Sequence, residues 1–284
     1  MALRAARLGP RGAEARGTVL ILHGRTEFLE KYAQTAAAWA RRGFVAWSLD
    51  WRGQGGSARA LADARKGHVG GFGEYQRDVR ALADAAADEP GPHLMQAHSM
   101  GGLIGLRALV DGAAPSTAAI FTAPMWGLAL PRERELAARL LSAAACALGF
   151  GERYVPGGGG PTPYALQGFE DNLLTSDADG YERIARLVRE GGSHALGGPT
   201  FGWLRAAFDE MDALAPARLA TPALILLGDA EAVVSPGAIR ARAARDGAAL
   251  VGLPGARHEP LFETPETLAA VWEAIDGFLE TRGL

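Results

Sequence analysis

A single cysteine, Cys146, cannot close an internal disulfide, so the chain's stability must come from a packed core and not from covalent staples. Such a chain suits a reducing compartment. Cys146 lies in the run SAAACALG, where a thiol among small apolar residues reads as an inert, buried packing group and not as a nucleophile. No stretch approaches the roughly 18 uninterrupted apolar residues of a membrane-spanning helix. The opening residues MALRAARLGPRGAEARG carry arginines but lack the apolar run of a secretory signal, so a cytoplasmic location is expected. Charge of either sign is not in excess: 29 Lys and Arg stand against 32 Asp and Glu, without a basic cluster, which argues against a nucleic-acid partner. The six histidines show no HxH or HxxxH pairing that would suggest zinc, and no cofactor is expected.

What is present suffices for a full core: 284 residues, 48% hydrophobic and 21% charged. Short apolar runs, TVLILH (18–23), FVAWSLD (44–50), HLMQAH (93–98) and AAIFTAP (118–124), alternate with helix-patterned stretches such as EYQRDVRALADAAADE. Runs without polar alternation are what strands buried on both faces look like, and repeated β-then-α order predicts a mostly parallel sheet flanked by helices. The rhythm stops after Pro124 and resumes at PALILLGD (222–229), then ALVGLP (249–254) and a last helix. The core is therefore expected at 1–124 and 213–284, with 125–212 an inserted, mainly helical cap. Within the cap, YVPGGGGPTPY reads as a mobile loop.

The chemistry gathers around HLMQAHSMGGLIGLRALV, an apolar strand that runs into Ala97-His98-Ser99-Met100-Gly101 and then into a helix former. This is the G-x-S-x-G nucleophile elbow in its strand-to-helix context, with Ala97 where the pattern has glycine. An alanine there adds one methyl and is expected to leave the turn intact. Elbows of this kind take their partners in the order nucleophile, acid, histidine. His258, in GARHEP after ALVGLP and before the last helix, is the histidine in the required place, and a serine hydroxyl needs such a base to lose its proton in the attack. For the acid, Asp229 and Glu231 compete in one loop after PALILLG, and either could orient the imidazole.

The chain resembles the α/β-hydrolase superfamily, and within it the lysophospholipase and monoacylglycerol-lipase-like serine hydrolases, also classed with the serine aminopeptidase S33-type hydrolases. The resemblance rests on HGRTEFLEKY (23–32), LDWRGQGGS (49–57), AHSMGG (97–102), APMWG (123–127), NLLT (172–175), LGGPTFGWL (196–204) and ARHEPLFE (256–263). It implies the α/β-hydrolase fold with an inserted cap. It also implies that Glu231, followed after one residue by Val233-Val234, is the triad acid, with Asp229 as the alternative. Most members have aspartate there. The resemblance further implies an oxyanion hole from the N–H groups of Arg25 and Met100, a loop braced by Glu27, and a structural role for Asp50, Arg52 and Gly53. At the start, few residues precede TVLILH, so the opening hairpin is expected to shrink to something like ALRAARL.

The expected reaction is hydrolysis of carboxylic esters through an acyl-enzyme, on lysophospholipid or monoacylglycerol type substrates. Apolar cap residues, among them Trp126, Phe201 and Trp203, would wall an acyl chain, although core packing explains any one of them equally well. Peripheral contact of the cap with membranes is left open by this reading, as is the oligomeric state. The alternatives are a small-ester, carbon–carbon or peptide-bond hydrolase on the same scaffold, or a non-catalytic binder that kept the fold. Epoxide hydrolases and dehalogenases carry aspartate at the elbow, where this chain has Ser99.

Overall fold

A computed structural model describes residues 1–10, 14–160, 162–166, 168–191 and 194–284. Among the described residues seven strands form one sheet: β1 (Ala5–Leu8), β2 (Gly17–Leu22), β3 (Phe44–Leu49), β4 (His93–His98), β5 (Ala118–Thr122), β6 (Ala223–Gly228) and β7 (Ala249–Leu253). Their order is β1-β3-β2-β4-β5-β6-β7, with β1 antiparallel to β3 and every other pair parallel. The N-terminal side of the sheet is thus the single strand β1, Ala5 facing Leu49 and Leu8 facing Ala46, in place of a hairpin among the described residues.

The apolar runs of β2 to β6 are strands covered on both faces of the sheet, whereas the edge strand β7 is mostly exposed. In β2, Val19 and Ile21 pack with α1 (Ala33–Arg41) and α8 (Pro265–Glu280) on one face. Leu20 and Leu22 pack on the other, with α2 (Gly73–Ala85), α3 (Met100–Val110), α6 (Phe201–Leu214) and α7 (Pro236–Asp246). Successive strand residues point to opposite faces, so a strand covered on both sides loses its polar alternation. The buried side chains on each face contribute about 1.5–3 kcal/mol apiece for Val, Leu, Ile, Phe and Met, before conformational entropy is counted. Helix ends follow local chemistry. Thr200, Ser235 and Thr264 cap α6, α7 and α8 by accepting the N–H of the third residue beyond, and Pro236 and Pro265 open α7 and α8.

Between β5 and β6 the chain leaves the core to form α4 (Arg132–Ala147), a 3₁₀ turn at Tyr164–Leu166 and α5 (Ala178–Gly191). It returns through α6, whose Trp203, Ala207, Phe208 and Leu214 belong to the same buried cluster as α3. Position 212 falls inside α6, so the division expected between 212 and 213 would cut a helix that packs on the core. The glycine-rich patch adopts turns, with Gly157, Gly159 and Gly160 at positive φ. It is tied to the segment before α6 by Val155 N–H to Pro199 O and Gly198 N–H to Gly160 O. Pro161 lies outside the described residues. No helix among the described residues is long and apolar enough to cross a membrane.

Candidate active site

Ser99 stands between β4 and α3 with φ 50° and ψ −117°, a conformation that costs a non-glycine residue about 1–3 kcal/mol. The strained turn holds the hydroxyl clear of the sheet, and two glycines let the helix approach closely enough to form it. A Cβ at Gly101 would lie 2.1 Å from Leu22 O and 2.6 Å from His23 O, which backbone cannot yield. A Cβ at Gly105 would stand 3.2 Å from the Ala97 methyl and 2.8 Å from Met95 Sδ. Gly105 therefore provides the space that Ala97 takes up, which is why alanine is accommodated where the elbow pattern has glycine.

Parallel strands deliver their carboxyl ends to one edge, and the loops after β2, β4, β6 and β7 bring Arg25, Ser99, Glu231 and His258 there. Ser99 Oγ is 2.9 Å from His258 Nε2, and His258 Nδ1 is 2.8 Å from Glu231 Oε2. The second carboxylate oxygen, Glu231 Oε1, accepts the N–H groups of Val233 at 2.6 Å and Val234 at 3.0 Å. Burial alone would raise the pKa of Glu231, but the His258 hydrogen bond and charge, with those two amides, outweigh it and hold the carboxyl below its ordinary value. Asp229 is exposed and accepts the Gly255 N–H at 2.7 Å, closing the turn after β7. The two carboxylates thus separate, Glu231 at the imidazole and Asp229 away from it. His258 is fixed from the inserted segment, its N–H donating to Leu173 O and the next N–H, of Glu259, to Leu174 O.

In the loop after β2, Glu27 Oε2 accepts the Gly24 N–H, and Gln54 Oε1 accepts that of Thr26 at 3.0 Å. Both amides flanking Arg25 are engaged, while Met100 N–H opens α3 and has no acceptor within its own helix. Below this loop lies a buried ion cluster. Lys31 Nζ donates to Glu27 Oε1 at 2.5 Å and to Glu259 Oε1 at 2.7 Å, and Tyr32 OH donates to Glu27 Oε2 at 2.9 Å. Burial would raise the pKa of Glu27, but Lys31, His98 and His23 pull it down to about 2. Burial pushes the pKa of His98 down to about 4, so it stays neutral near pH 7. Glu27, His98 and Glu259 place donor atoms within 4.8 Å of one another, and the Lys31 ammonium supplies the positive charge between the two carboxylates. The DxRGxG stretch braces the neighbouring loop. Asp50 accepts from Leu29 N–H, Gly56 N–H and Arg4 Nε, and Arg52 pairs with Asp78 and Glu74.

Ser99 and His258 open onto a cavity of about 360 Å³, with Met125, Leu128, Leu173, Trp203, Leu204 and Val233 on its walls. Of the three aromatic residues expected to wall an acyl chain, Trp203 lines this cavity. Trp126 and Phe201 are not on the wall. The Trp126 indole turns inward against Phe121 and donates to Gly102 O at 3.2 Å, with the Arg242 guanidinium over its ring. Phe201, first in α6, is also buried away from the cavity, its N–H donating to Arg153 O. Which face of an element looks at the site depends on its phase about its own axis, and apolar content carries no such information.

Residues 13–265 match the family described as serine aminopeptidase, S33. Lysophospholipase L2 of Escherichia coli (strain K12) is 32% identical over 275 residues, covering 92% of this chain and 79% of that protein. The chain belongs to the S33 family of serine hydrolases. Among solved structures, a thermostable carboxyl esterase from Bacillus coagulans superposes with a TM-score of 0.78 at 19% identity, over 98% of this chain and 94% of that one. The monoacylglycerol lipase of Paleococcus ferrophilus gives 0.75 at 18% identity, over 99% of each chain. These likenesses show the α/β-hydrolase fold.

Two features of this S33 hydrolase escaped the sequence reading. Lys31 and Glu259 are 228 positions apart, and no local pattern announces their pairing. Only the Glu27–Lys31 spacing of one helical turn hinted at half of it. Cys146 is half-buried against Gly151, not fully enclosed as its alanine-rich surroundings suggest, because α4 stands on the outside of the inserted segment.

Proposed function

We propose that this S33 hydrolase cleaves carboxylic esters of lysophospholipid or monoacylglycerol type through an acyl-enzyme on Ser99. The observation that carries this reading is the hydrogen-bonded chain Ser99–His258–Glu231 opening onto a mainly apolar cavity. His258 Nε2 takes the Ser99 proton as Oγ attacks the ester carbonyl, and the N–H groups of Arg25 and Met100 receive the developing oxyanion. The C–O bond to the alcohol breaks, and the alcohol leaves with the proton from His258. Water then gives its proton to the same nitrogen and attacks the acyl-enzyme, releasing the carboxylic acid and restoring the serine. Glu231 holds the imidazole in the tautomer that presents a bare Nε2 to the hydroxyl. The segment from Met125 to the start of α6 acts as the cap that walls the acyl chain.

The family description also raises cleavage at a peptide amino terminus. On the cavity wall Glu27 and Glu259 share the single Lys31 ammonium, and Glu259 Oε2 has no hydrogen-bond partner among the described residues, so a substrate amine would have a carboxylate to meet. A panel of esters graded in acyl length, a monoacylglycerol, a lysophospholipid and an aminoacyl anilide tests this. Long-acyl esters are expected to give the highest kcat/KM, by tenfold or more over short ones. Turnover of the anilide alone would overturn the ester reading.

The cap also provides a lipid-facing surface. On α4, Leu136 (58% exposed) and Leu140 (64%) stand in solvent one turn apart on one helical face, with Leu148 (71%) exposed just beyond the helix end. Peripheral membrane contact through this face supplies substrate from a bilayer or micelle, consistent with a cytoplasmic enzyme. Leu136→Ser with Leu140→Ser is expected to lower binding to lipid vesicles about tenfold, the scale of two partly buried leucines. Hydrolysis of a water-soluble short ester should not move. Unchanged vesicle binding would remove the membrane role.

A further inference from the structure

Arg25 brings a side chain as well as an N–H to the site. Its guanidinium lies on the wall of the same cavity as Ser99, in which the loop after β2 faces the Gly197–Pro199 segment. Nη1 donates to Gly197 O at 3.0 Å and Nη2 to Gly198 O at 2.9 Å, and the plane sits 4.9 Å from the Trp203 ring. These contacts fix the fork without neutralising it. Arg25 makes no ion pair among the described residues, whereas Arg4, Arg7, Arg42, Arg52, Arg107 and Arg139 each hold a carboxylate. Nε is buried and has no hydrogen-bond partner among the described residues.

Leaving such a donor unmet costs free energy, and leaving a cation unpaired in a mainly apolar cavity costs more. Burial lowers the Arg25 pKa to about 10, so the charge persists at neutral pH. A cost of this kind at a functional cavity points to a ligand that carries the missing anion. Each Nη keeps one further N–H beyond its bond to a glycine carbonyl, and such charged donors suit the oxygens of a phosphate. Ester and phosphate are joined in lysophospholipids through one glycerol unit, so an acyl carbonyl at Ser99 puts the headgroup within the same enclosure.

We propose that the Arg25 side chain recognises the phosphodiester of a lysophospholipid headgroup and sets this enzyme's preference for charged over neutral monoacyl lipids. The proposal rests on the ester-hydrolase reading above. The test is the ratio of kcat/KM for a lysophosphatidylglycerol to that for the monoacylglycerol of the same acyl chain. A loss shared by both substrates, including any disturbance of the oxyanion loop, cancels in the ratio. In Arg25→Gln the ratio is expected to fall tenfold to a hundredfold, mainly through KM of the phospholipid, the scale of a hydrogen bond to a charged group. Arg25→Lys should recover part of the ratio, because the charge is kept and the fork is not. An unchanged ratio in Arg25→Gln would overturn the proposal and leave the side chain a brace for Gly197 and Gly198. Millimolar inorganic phosphate inhibiting monoacylglycerol turnover, with no change of ratio, would assign the charge to free phosphate instead and equally overturn the headgroup role. Wild-type enzyme that hydrolyses neither lipid would overturn the lipid-substrate reading on which the proposal rests.

Discussion

Ser99→Ala is expected to lower kcat for a long-chain monoacylglycerol by about a millionfold, the scale seen when a triad serine is removed from an unrelated serine hydrolase. The loss is so large because the hydroxyl is the only atom in the 2.9 Å contact with His258 Nε2 that can form the acyl bond. The oxyanion donors and the cavity survive the change, so residual turnover above the rate in water should remain. Labelling by a fluorophosphonate should vanish with it, since that reagent needs the same activated oxygen. Folding should be little affected: alanine at φ 50° is as uncomfortable as serine, and no hydrogen bond from the Ser99 side chain holds the helix end. Retention of more than about 1% of wild-type kcat in a sample free of contaminating esterase would remove Ser99 from the reaction. His258→Ala should match the serine variant, because the two groups act as one unit and their losses do not add.

Most of this arrangement is legible in the sequence, and for physical reasons. Strands covered on two faces must be apolar throughout, and a strained turn needs small neighbours, so β2 to β6 and the elbow at Ser99 are readable, while β7, an exposed edge strand, is readable only from its place before His258. His258 followed from its place after the last strand. The remainder depends on distances between elements, which local pattern does not encode. Trp126 and Trp203 are equally apolar, yet one turns inward on Phe121 and the other faces the cavity. The separation of Asp229 from Glu231 was invisible to periodicity because both stand in one loop. It comes from two amides, Val233 and Val234, that turn Glu231 inward while the turn at Gly255 draws Asp229 outward.

Glu231→Gln should therefore cost about ten-thousandfold in kcat, while Asp229→Asn should stay within about threefold of wild type. The glutamine is nearly isosteric, and its oxygen can still accept from Val233 and Val234. That choice forces the NH2 group toward His258 Nδ1. The ring must then carry its proton on Nε2, where it cannot accept from Ser99, and the negative charge that stabilises the imidazolium in the transition state is gone. Asp229→Asn keeps an oxygen for the Gly255 N–H at a position open to water, where the lost charge is screened. Acid should tell the same story. Because the folded pKa of Glu231 is depressed, its pairing with His258 stabilises the fold above the unfolded glutamate value and is lost as pH falls through the folded one. Urea midpoints of wild type should thus fall more steeply below about pH 4.5 than those of Glu231→Gln, which has no carboxyl to protonate. If the asparagine variant were the crippled one, the acid would sit at Asp229, and the loop after β6 would have to take a different path during turnover.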